Sequence, residues 1–384
     1  MFLIFISIAV LVSWGFKKNQ VSLSILPPLI VAVYTLSLLP TMTMPYLIDD
    51  LDVLYTLRIA TTSAQKIAWF LNPHNEHVIP AVKALMYLAY TFCGIYMPPI
   101  HLIIIFSCAL ILVIFYKLIL KLTDCAYTAL FGLVLLSSVN LADFATYMFI
   151  EANLFFCLGL FLLLFYAQVQ FFSTQRKRWL VLAFFSVLLN PWTFNLGLLS
   201  IFFVLLFEYL CIAVSPFKKK IPILLSTGTA WAISLLPYVY SFQKVLHADH
   251  YVYVGKSSAL EVARFWQPFY YVPCYVINDL IPNLLPHVYL SMGLFFLALT
   301  LLTLYRQKID YKKIIFFLLL GLGLTYVIYV FRLSWGLPSL DRARYDILPS
   351  AMLCAIYAFI FDPFIKERLP VLQTNQRLAY RCLL

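Results

Sequence analysis

Three aspartates lie within four residues, at Asp49, Asp50 and Asp52, shortly after an apolar stretch. On a helix Asp49 and Asp52 would share a face, and like charges this close resist ionising together unless a cation or proton donor is near. Such a cluster can act as general base towards an acceptor hydroxyl or as ligand of a divalent metal ion. Helix capping by aspartate is the alternative explanation.

A second polar cluster covers residues 72–80, which read Asn-Pro-His-Asn-Glu-His-Val-Ile-Pro. We take Glu76 and His77 as candidate substrate-binding residues. A metal site is also open here, although this spacing of histidine and glutamate is not specific to one metal. The structural alternative is that Asn75 caps the helix that follows, with Glu76 in its first turn.

Two later segments carry the remaining candidates. Arg342, Arg344 and Tyr345 lie between two apolar runs, and the fixed fork of donors on arginine suits phosphate or carboxylate. Ion pairs with nearby aspartates, or snorkelling to lipid headgroups, would explain these arginines equally well. His250 is a further candidate for substrate binding, for which a structural role is equally open.

The elements that must position these residues are membrane helices. Of the 384 residues, 64% are hydrophobic and 11% are charged, whereas soluble chains are about 45–50% apolar and about 25% charged. The apolar runs are long and continuous, which predicts an all-α polytopic membrane protein and not a barrel. We exclude nucleic-acid binding despite the net charge of +11, because the basic residues fall in short loops between apolar runs.

Basic residues also predict the orientation of the spans, because lysine and arginine favour cytoplasmic loops. Three polar segments then fall together on the extracytoplasmic side: 41–100, 241–285 and 332–346. The basic clusters that give this result lie near residues 17–18, 117–121, 176–178, 218–220, 306–313 and 366–368.

The predicted organisation is one transmembrane domain over residues 1–365, followed by a short cytoplasmic tail over 366–384. We expect about eleven transmembrane helices. Apart from the stretch 1–16, the apolar runs that indicate them lie near 21–40, 101–122, 126–141, 149–171, 179–190, 194–214, 221–240, 286–305, 314–331 and 347–361. The segments 41–100 and 241–285 form the first and second external loops. Lys83, inside an apolar stretch of the first loop, indicates a helix that lies at the membrane interface. Whether residues 1–16 cross the membrane is left open.

Three short motifs lie at defined places in this predicted order of helices and loops. Asp49-Asp50 lie in the first external loop, Asn75-Glu76-His77 precede the next helix, and Arg344-Tyr345-Asp346-Ile-Leu-Pro349 lie near the end of the transmembrane region. In these motifs the chain resembles the GT-C superfamily of membrane glycosyltransferases. That superfamily includes the protein O-mannosyltransferases, the lipid A aminoarabinose transferases and bacterial glucosyltransferases acting on surface polysaccharide. The apolar stretch ahead of the expected first helix departs from the family pattern.

The resemblance implies a hexosyltransferase of the cell (inner or plasma) membrane with an extracytoplasmic active face. It would move a sugar from a polyprenyl-phosphate donor to a glycan or lipid-linked acceptor. Asp50 or Asp49 would deprotonate or orient the acceptor hydroxyl, and Arg342 and Arg344 would hold the departing phosphate. Some relatives use a divalent cation and others none, so the cofactor stays open. The further substrate-binding candidates are Asp52, Glu76, His77, His250 and Tyr345.

Two other functions compete with this interpretation. A polysaccharide polymerase or ligase is also polytopic, but typically relies on arginines and a histidine in one large late loop. A transporter or flippase of lipid-linked sugars would place ionisable residues near the bilayer midplane. In this chain the spans are nearly free of charge, and the ionisable residues gather on one face. The pattern therefore favours chemistry at the membrane surface.

Overall fold

A computed structural model describes the protein over most of the first 246 residues and over two later helices. The apolar stretch 1–16 and the predicted span 286–305 lie outside the described ranges. Those ranges are 25–43, 48–74, 77–94, 96, 98–138, 153–212, 216–246, 309–332 and 347–368.

The secondary structure of the described residues is helical, apart from one bridge between His74 and His77. Short 3-10 turns cover Leu39–Thr43 and Asn195–Leu199. The α-helices are α1 (Leu26–Ser37), α2 (Ile48–Ile59), α3 (Ser63–Leu71), α4 (Pro80–Cys93), α5 (Pro98–Thr123), α6 (Ala126–Ser138), α7 (Asn153–Thr174), α8 (Lys177–Thr193), α9 (Ser200–Leu210), α10 (Phe217–Ser234), α11 (Leu236–Leu246), α12 (Tyr311–Arg332) and α13 (Ile347–Arg368).

Three helical stretches in the described part of the chain are long and apolar enough to cross a membrane. They are His101–Thr123, Asn153–Thr174 and Phe217–Ser241, of 23, 22 and 25 residues. A rise of about 1.5 Å per residue makes each longer than the roughly 30 Å hydrocarbon core. These lengths and compositions agree with the predicted all-α membrane class.

Helix α4 is shorter than these stretches. Its 14 residues begin at a proline and end before Gly94, whose φ of +62° is left-handed. At about 1.5 Å per residue α4 extends about 21 Å, which is less than the thickness of the hydrocarbon core. This length suits a helix that lies at the membrane interface.

Two predicted continuous spans are interrupted in the structure. Residues 194–214 form the 3-10 turn Asn195–Leu199 followed by α9, because the backbone at Gly197 lies directly against that of Asn190 and Pro191. A side chain at 197 would overlap those backbone atoms. The predicted span 221–240 has a smaller interruption, a single turn residue at Leu235 between α10 and α11, and the stretch Phe217–Ser241 remains long enough to cross a membrane.

The interior is built on aromatic contacts between α7, α9 and α12. The ring of Phe316 lies edge-on to Phe165 and to Phe207, with centroid distances of 5.0 and 4.8 Å. All three rings are fully buried. Edge-to-face packing of this kind is favoured by the ring quadrupoles and stabilises beyond the apolar area it buries.

Lysines gather around the C-terminus of α5. Lys313 donates to the carbonyl oxygen of Leu122, and Lys366 donates to that of Thr123, each across 2.6 Å. Lys366 also bridges to Asp362, at 2.7 Å. The last carbonyls of a helix lack partners within it and carry negative partial charge, so ammonium groups stabilise this end. Cations from segments far apart in sequence therefore meet at one end of the bundle.

Candidate functional site

The acidic cluster belongs to α2. Asp49 and Asp50 lie in the first turn of this helix, where the positive end of the helix dipole favours carboxylates. The side chain of Asp52, on the next turn, is exposed to solvent. The structure therefore puts all three aspartates at the N-terminal end of one short helix. This placement suits capping as well as chemistry.

Of the other predicted site residues, the structure describes His77. The remaining five lie outside the described residues: Glu76, His250, Arg342, Arg344 and Tyr345.

Helix α3 follows α2 after a tight connection that a capping box defines. The hydroxyl of Thr62 accepts from the backbone N–H of Gln65 at 3.2 Å, and the Gln65 side chain accepts from the Thr62 N–H at 3.0 Å. This reciprocal pair satisfies two donors that the first helical turn would leave unpaired. The direction in which α3 leaves α2 is thereby set by local sequence.

Trp69 joins α3 to α2. Its indole N–H donates to the carbonyl oxygen of Val53 at 3.3 Å and to the hydroxyl of Thr56 at 3.2 Å. The side chain is 6% exposed. A buried indole needs a partner for its N–H, and here the partners are on the helix that carries the aspartates. Trp69 therefore holds α2 against α3.

Lys83 joins α4 to α3. Its ammonium group donates to the carbonyl oxygens of Trp69 and Asn72, at 2.9 and 2.7 Å, and lies 5.4 Å from the centre of the Trp69 ring. The side chain is 3% exposed. Burial lowers the pKa of Lys83 to about 8, although the charge of Asp52 acts in the opposite direction.

The sequence does not reveal this arrangement of Lys83. From the sequence, the residue indicates only that its helix lies at the interface. The partners of the ammonium group are backbone carbonyls at the C-terminus of α3, eleven and fourteen residues away. Backbone acceptors leave no pattern of residue types, so no signal in the sequence could have identified them.

His77 lies in a tight turn that docks on the α8–α9 connection. The backbones of His74 and His77 exchange two hydrogen bonds of 2.8 and 2.9 Å. The His77 ring packs against Phe194 with centroids 4.6 Å apart. Helix α4 begins only at Pro80, with Ile79 at its N-cap. The alternative in which Asn75 caps this helix is therefore wrong, because residues 77–79 are not helical.

Helix α11 contacts the same region. The Tyr238 hydroxyl donates to the carbonyl oxygen of Pro191 at 2.5 Å and lies 3.0 Å from the side-chain oxygen of Asn195. Ser241 donates to the carbonyl oxygen of Leu71 at 2.5 Å. The beginning of the predicted second external loop therefore lies against the predicted first one.

An apolar groove of about 360 Å³ lies between α4, α5, α7 and α8. Its two hydroxyl-bearing residues, Ser107 and Thr193, both donate to backbone carbonyls of their own helices at 2.7 Å. The groove therefore suits a hydrocarbon ligand, because the lining is otherwise apolar. Lining residues from the four helices include Ala84, Leu88, Ile111, Phe156 and Leu189.

The residues described hold no group of three or more histidine, cysteine, aspartate or glutamate side chains arranged to bind a metal ion. Asp52 and His77 are the predicted site residues whose side chains are described and whose chemistry would suit a cation. A divalent cation in the site stays a possibility raised by the sequence.

No protein-family model, no curated protein and no solved structure matches this chain. The likeness to the GT-C glycosyltransferases therefore rests on the three short motifs. The two structural features that bear on function are the first loop, with helices α2 to α4, and the apolar groove.

Proposed function

We propose that this protein is a membrane glycosyltransferase that moves a sugar from a polyprenyl-phosphate donor to a glycan or lipid-linked acceptor. The observation that carries the proposal is the apolar groove beside the loop that holds the acidic helix. Helix α4 is common to both: Ala84 and Leu88 line the groove, and Lys83 ties the helix to α3. A lipid-linked sugar needs these two surfaces next to each other.

The groove would hold part of the polyprenyl tail. The tail of a lipid-linked sugar already lies in lipid, so the groove would bind it by close van der Waals packing and not by removing it from water. Such packing requires no polar contacts. Because the hydroxyls of Ser107 and Thr193 are already bonded to backbone, the groove offers a hydrocarbon no competing polar groups. A soluble nucleotide-sugar would gain little from such a surface.

The acidic helix would supply the base. In the proposed step the acceptor oxygen attacks the anomeric carbon and the bond from that carbon to the phosphate oxygen breaks. Asp50 or Asp49 takes the proton of the acceptor hydroxyl, and the electron pair leaves with the phosphate. Arg342 and Arg344 would stabilise the charge that develops on the departing phosphate.

The proposal includes the predicted topology of about eleven spans with the active face outside the cytoplasm. Two sets of contacts support it. Lys313 and Lys366, from predicted cytoplasmic segments, meet at the C-terminus of α5. Ser241 and Leu71, from predicted external segments, are joined by a hydrogen bond.

The test is mass analysis of surface and lipid-linked glycans in a deletion strain that carries the wild-type chain or a variant at equal abundance. Asp50→Asn should lose one specific sugar, with its unmodified acceptor accumulating. Ala84→Phe, whose ring takes up space in the groove, should lower that sugar about tenfold, because a steric conflict with the tail costs about 1–3 kcal/mol. Ala64→Phe is the matched control, because Ala64 is exposed on α3.

Two outcomes would contradict the proposal. Full transfer by both Asp50→Asn and Asp49→Asn would remove the acidic pair from the chemistry. The second outcome concerns the deletion strain. If the lipid-linked sugar stays in the cytoplasmic leaflet there, and transfer is intact when that sugar is supplied outside, the protein is a flippase.

A further inference from the structure

Two opposite faces of helix α4 contact different parts of the protein. Ala84 and Leu88 line the apolar groove, whereas Lys83 and Met86 are buried on the other side of the helix. The lysine face meets α3. The same short helix therefore forms one wall of the groove and supports the elements that carry the acidic cluster.

A continuous chain of hydrogen bonds leads from α4 to the backbone of the acidic cluster. Lys83 donates to the carbonyl oxygen of Trp69 at 2.9 Å. The indole N–H of Trp69 donates to the Thr56 hydroxyl at 3.2 Å. That hydroxyl donates in turn to the carbonyl oxygen of Asp52 at 2.9 Å. The first two bonds join the three helices, and the third lies within α2.

A purely packing role does not account for the lysine. An apolar side chain of similar length would fill the same volume, and burying an ammonium group carries a desolvation penalty unless its donors are bonded. Lys83 instead uses its donors on the carbonyls of Trp69 and Asn72 at the C-terminus of α3. These two hydrogen bonds hold one end of α3 at a fixed place.

We propose that Lys83 is a positioning residue that, through Trp69, holds the acidic helix α2 in register with the groove wall α4. The inference rests on the proposed function, in which α2 supplies the base and the groove holds the tail. In this role Lys83 acts through Trp69 and takes no part in the chemical step. It fixes where helix α2 lies relative to the groove wall α4.

Hydrogen–deuterium exchange of the purified full-length protein in detergent tests the link directly. Lys83→Met and Trp69→Phe should each raise exchange of the amides at 48–59 about threefold to tenfold, as expected for loss of one or two hydrogen bonds. Trp69→Phe keeps an aromatic ring and the backbone carbonyl that Lys83 contacts, and it removes the N–H donor with part of the indole, so α4 should exchange as in wild type.

Two matched variants complete the test. Lys83→Arg keeps a cation with donors and should restore slow exchange in α2. Lys66→Met removes a partly exposed lysine of α3 and should leave exchange in α2 unchanged.

Transfer is measured on the same variants by the glycan analysis described above. The link from Lys83 through Trp69 to α2 would be overturned if α2 exchanged at the wild-type rate in both Lys83→Met and Trp69→Phe. Faster exchange in α2 together with lost transfer, both restored by Lys83→Arg, would support it. Faster exchange with undiminished transfer would sustain the link but overturn the role of α2 in the proposed function.

Discussion

The backbone N–H of Val78 donates a hydrogen bond of 3.3 Å to the side-chain oxygen of Asn195, although 117 residues separate the two in sequence. Val78 is fully buried. The same Asn195 oxygen lies 3.0 Å from the hydroxyl of Tyr238. One amide side chain therefore joins the first loop, the α8–α9 connection and α11.

Replacing Asn195 by leucine should destabilise the docked loop. A buried backbone N–H that loses its acceptor costs about 1–3 kcal/mol. We expect a lower midpoint of thermal unfolding and faster amide exchange over residues 77–79. Asn195→Asp is the control, since it keeps an acceptor oxygen at the same place. Equal effects of the leucine and aspartate variants would contradict this role of the side-chain oxygen.

Because of Lys83, the stability of the folded protein should change with pH in the alkaline range. Burial lowers its pKa from 10.5 to about 8 in the folded protein, so between these values the unfolded chain binds more protons. Stability therefore rises with pH in this window, as the desolvation penalty of roughly 3 kcal/mol present below pH 8 is relieved. Between pH 7 and 10, the midpoint temperature of thermal unfolding should rise more steeply in the wild type than in Lys83→Met. Parallel curves would contradict the burial of a charged lysine.

Gly197 should not tolerate a side chain. A Cβ atom there would overlap the backbone of Asn190 and Pro191, and backbone atoms have little freedom to move aside. We expect Gly197→Ala to lose most of the folded protein, as judged by monodisperse yield in detergent. Gly228→Ala is the control, because no atom lies within 4 Å of its Cβ position and alanine favours a helix. Equal yields would contradict the close approach at Gly197.

Lys366 should stabilise the C-terminus of α5 through a coupled pair. Its ammonium group contacts both Thr123 and Asp362, while Asp362 also accepts from the Thr128 hydroxyl at 2.6 Å. Lys366→Met should lower the free energy of unfolding by about 1 kcal/mol, because it leaves the Asp362 carboxylate without its cation. The double variant Lys366→Met/Asp362→Asn should lose less, because it removes that carboxylate as well. Unfolding in denaturant measures this cycle.

The matched control for this cycle is Lys312→Met, which removes an exposed lysine near the same end of the bundle. It should leave stability unchanged, since exposed charges contribute little. Additive effects of Lys366→Met and Asp362→Asn would show that the two residues act independently.

The positions of most described helices followed from local sequence. The apolar run predicted at 101–122 is helix Pro98–Thr123, and the run predicted at 314–331 is helix Tyr311–Arg332. Continuous apolar residues specify such helices, because a backbone away from water must bond within its own segment. The all-helical class was readable for the same reason.

The tertiary structure decided the rest. The break at Gly197, the burial of Lys83 and the contact of Asn195 with Val78 each depend on backbone atoms of another segment. Every residue presents the same N–H and C=O groups, so residue types do not reveal such partners. The groove likewise exists only where four helices meet. Sequence alone determined which segments are helical and where their charges lie, and packing decided which surfaces those helices bring together.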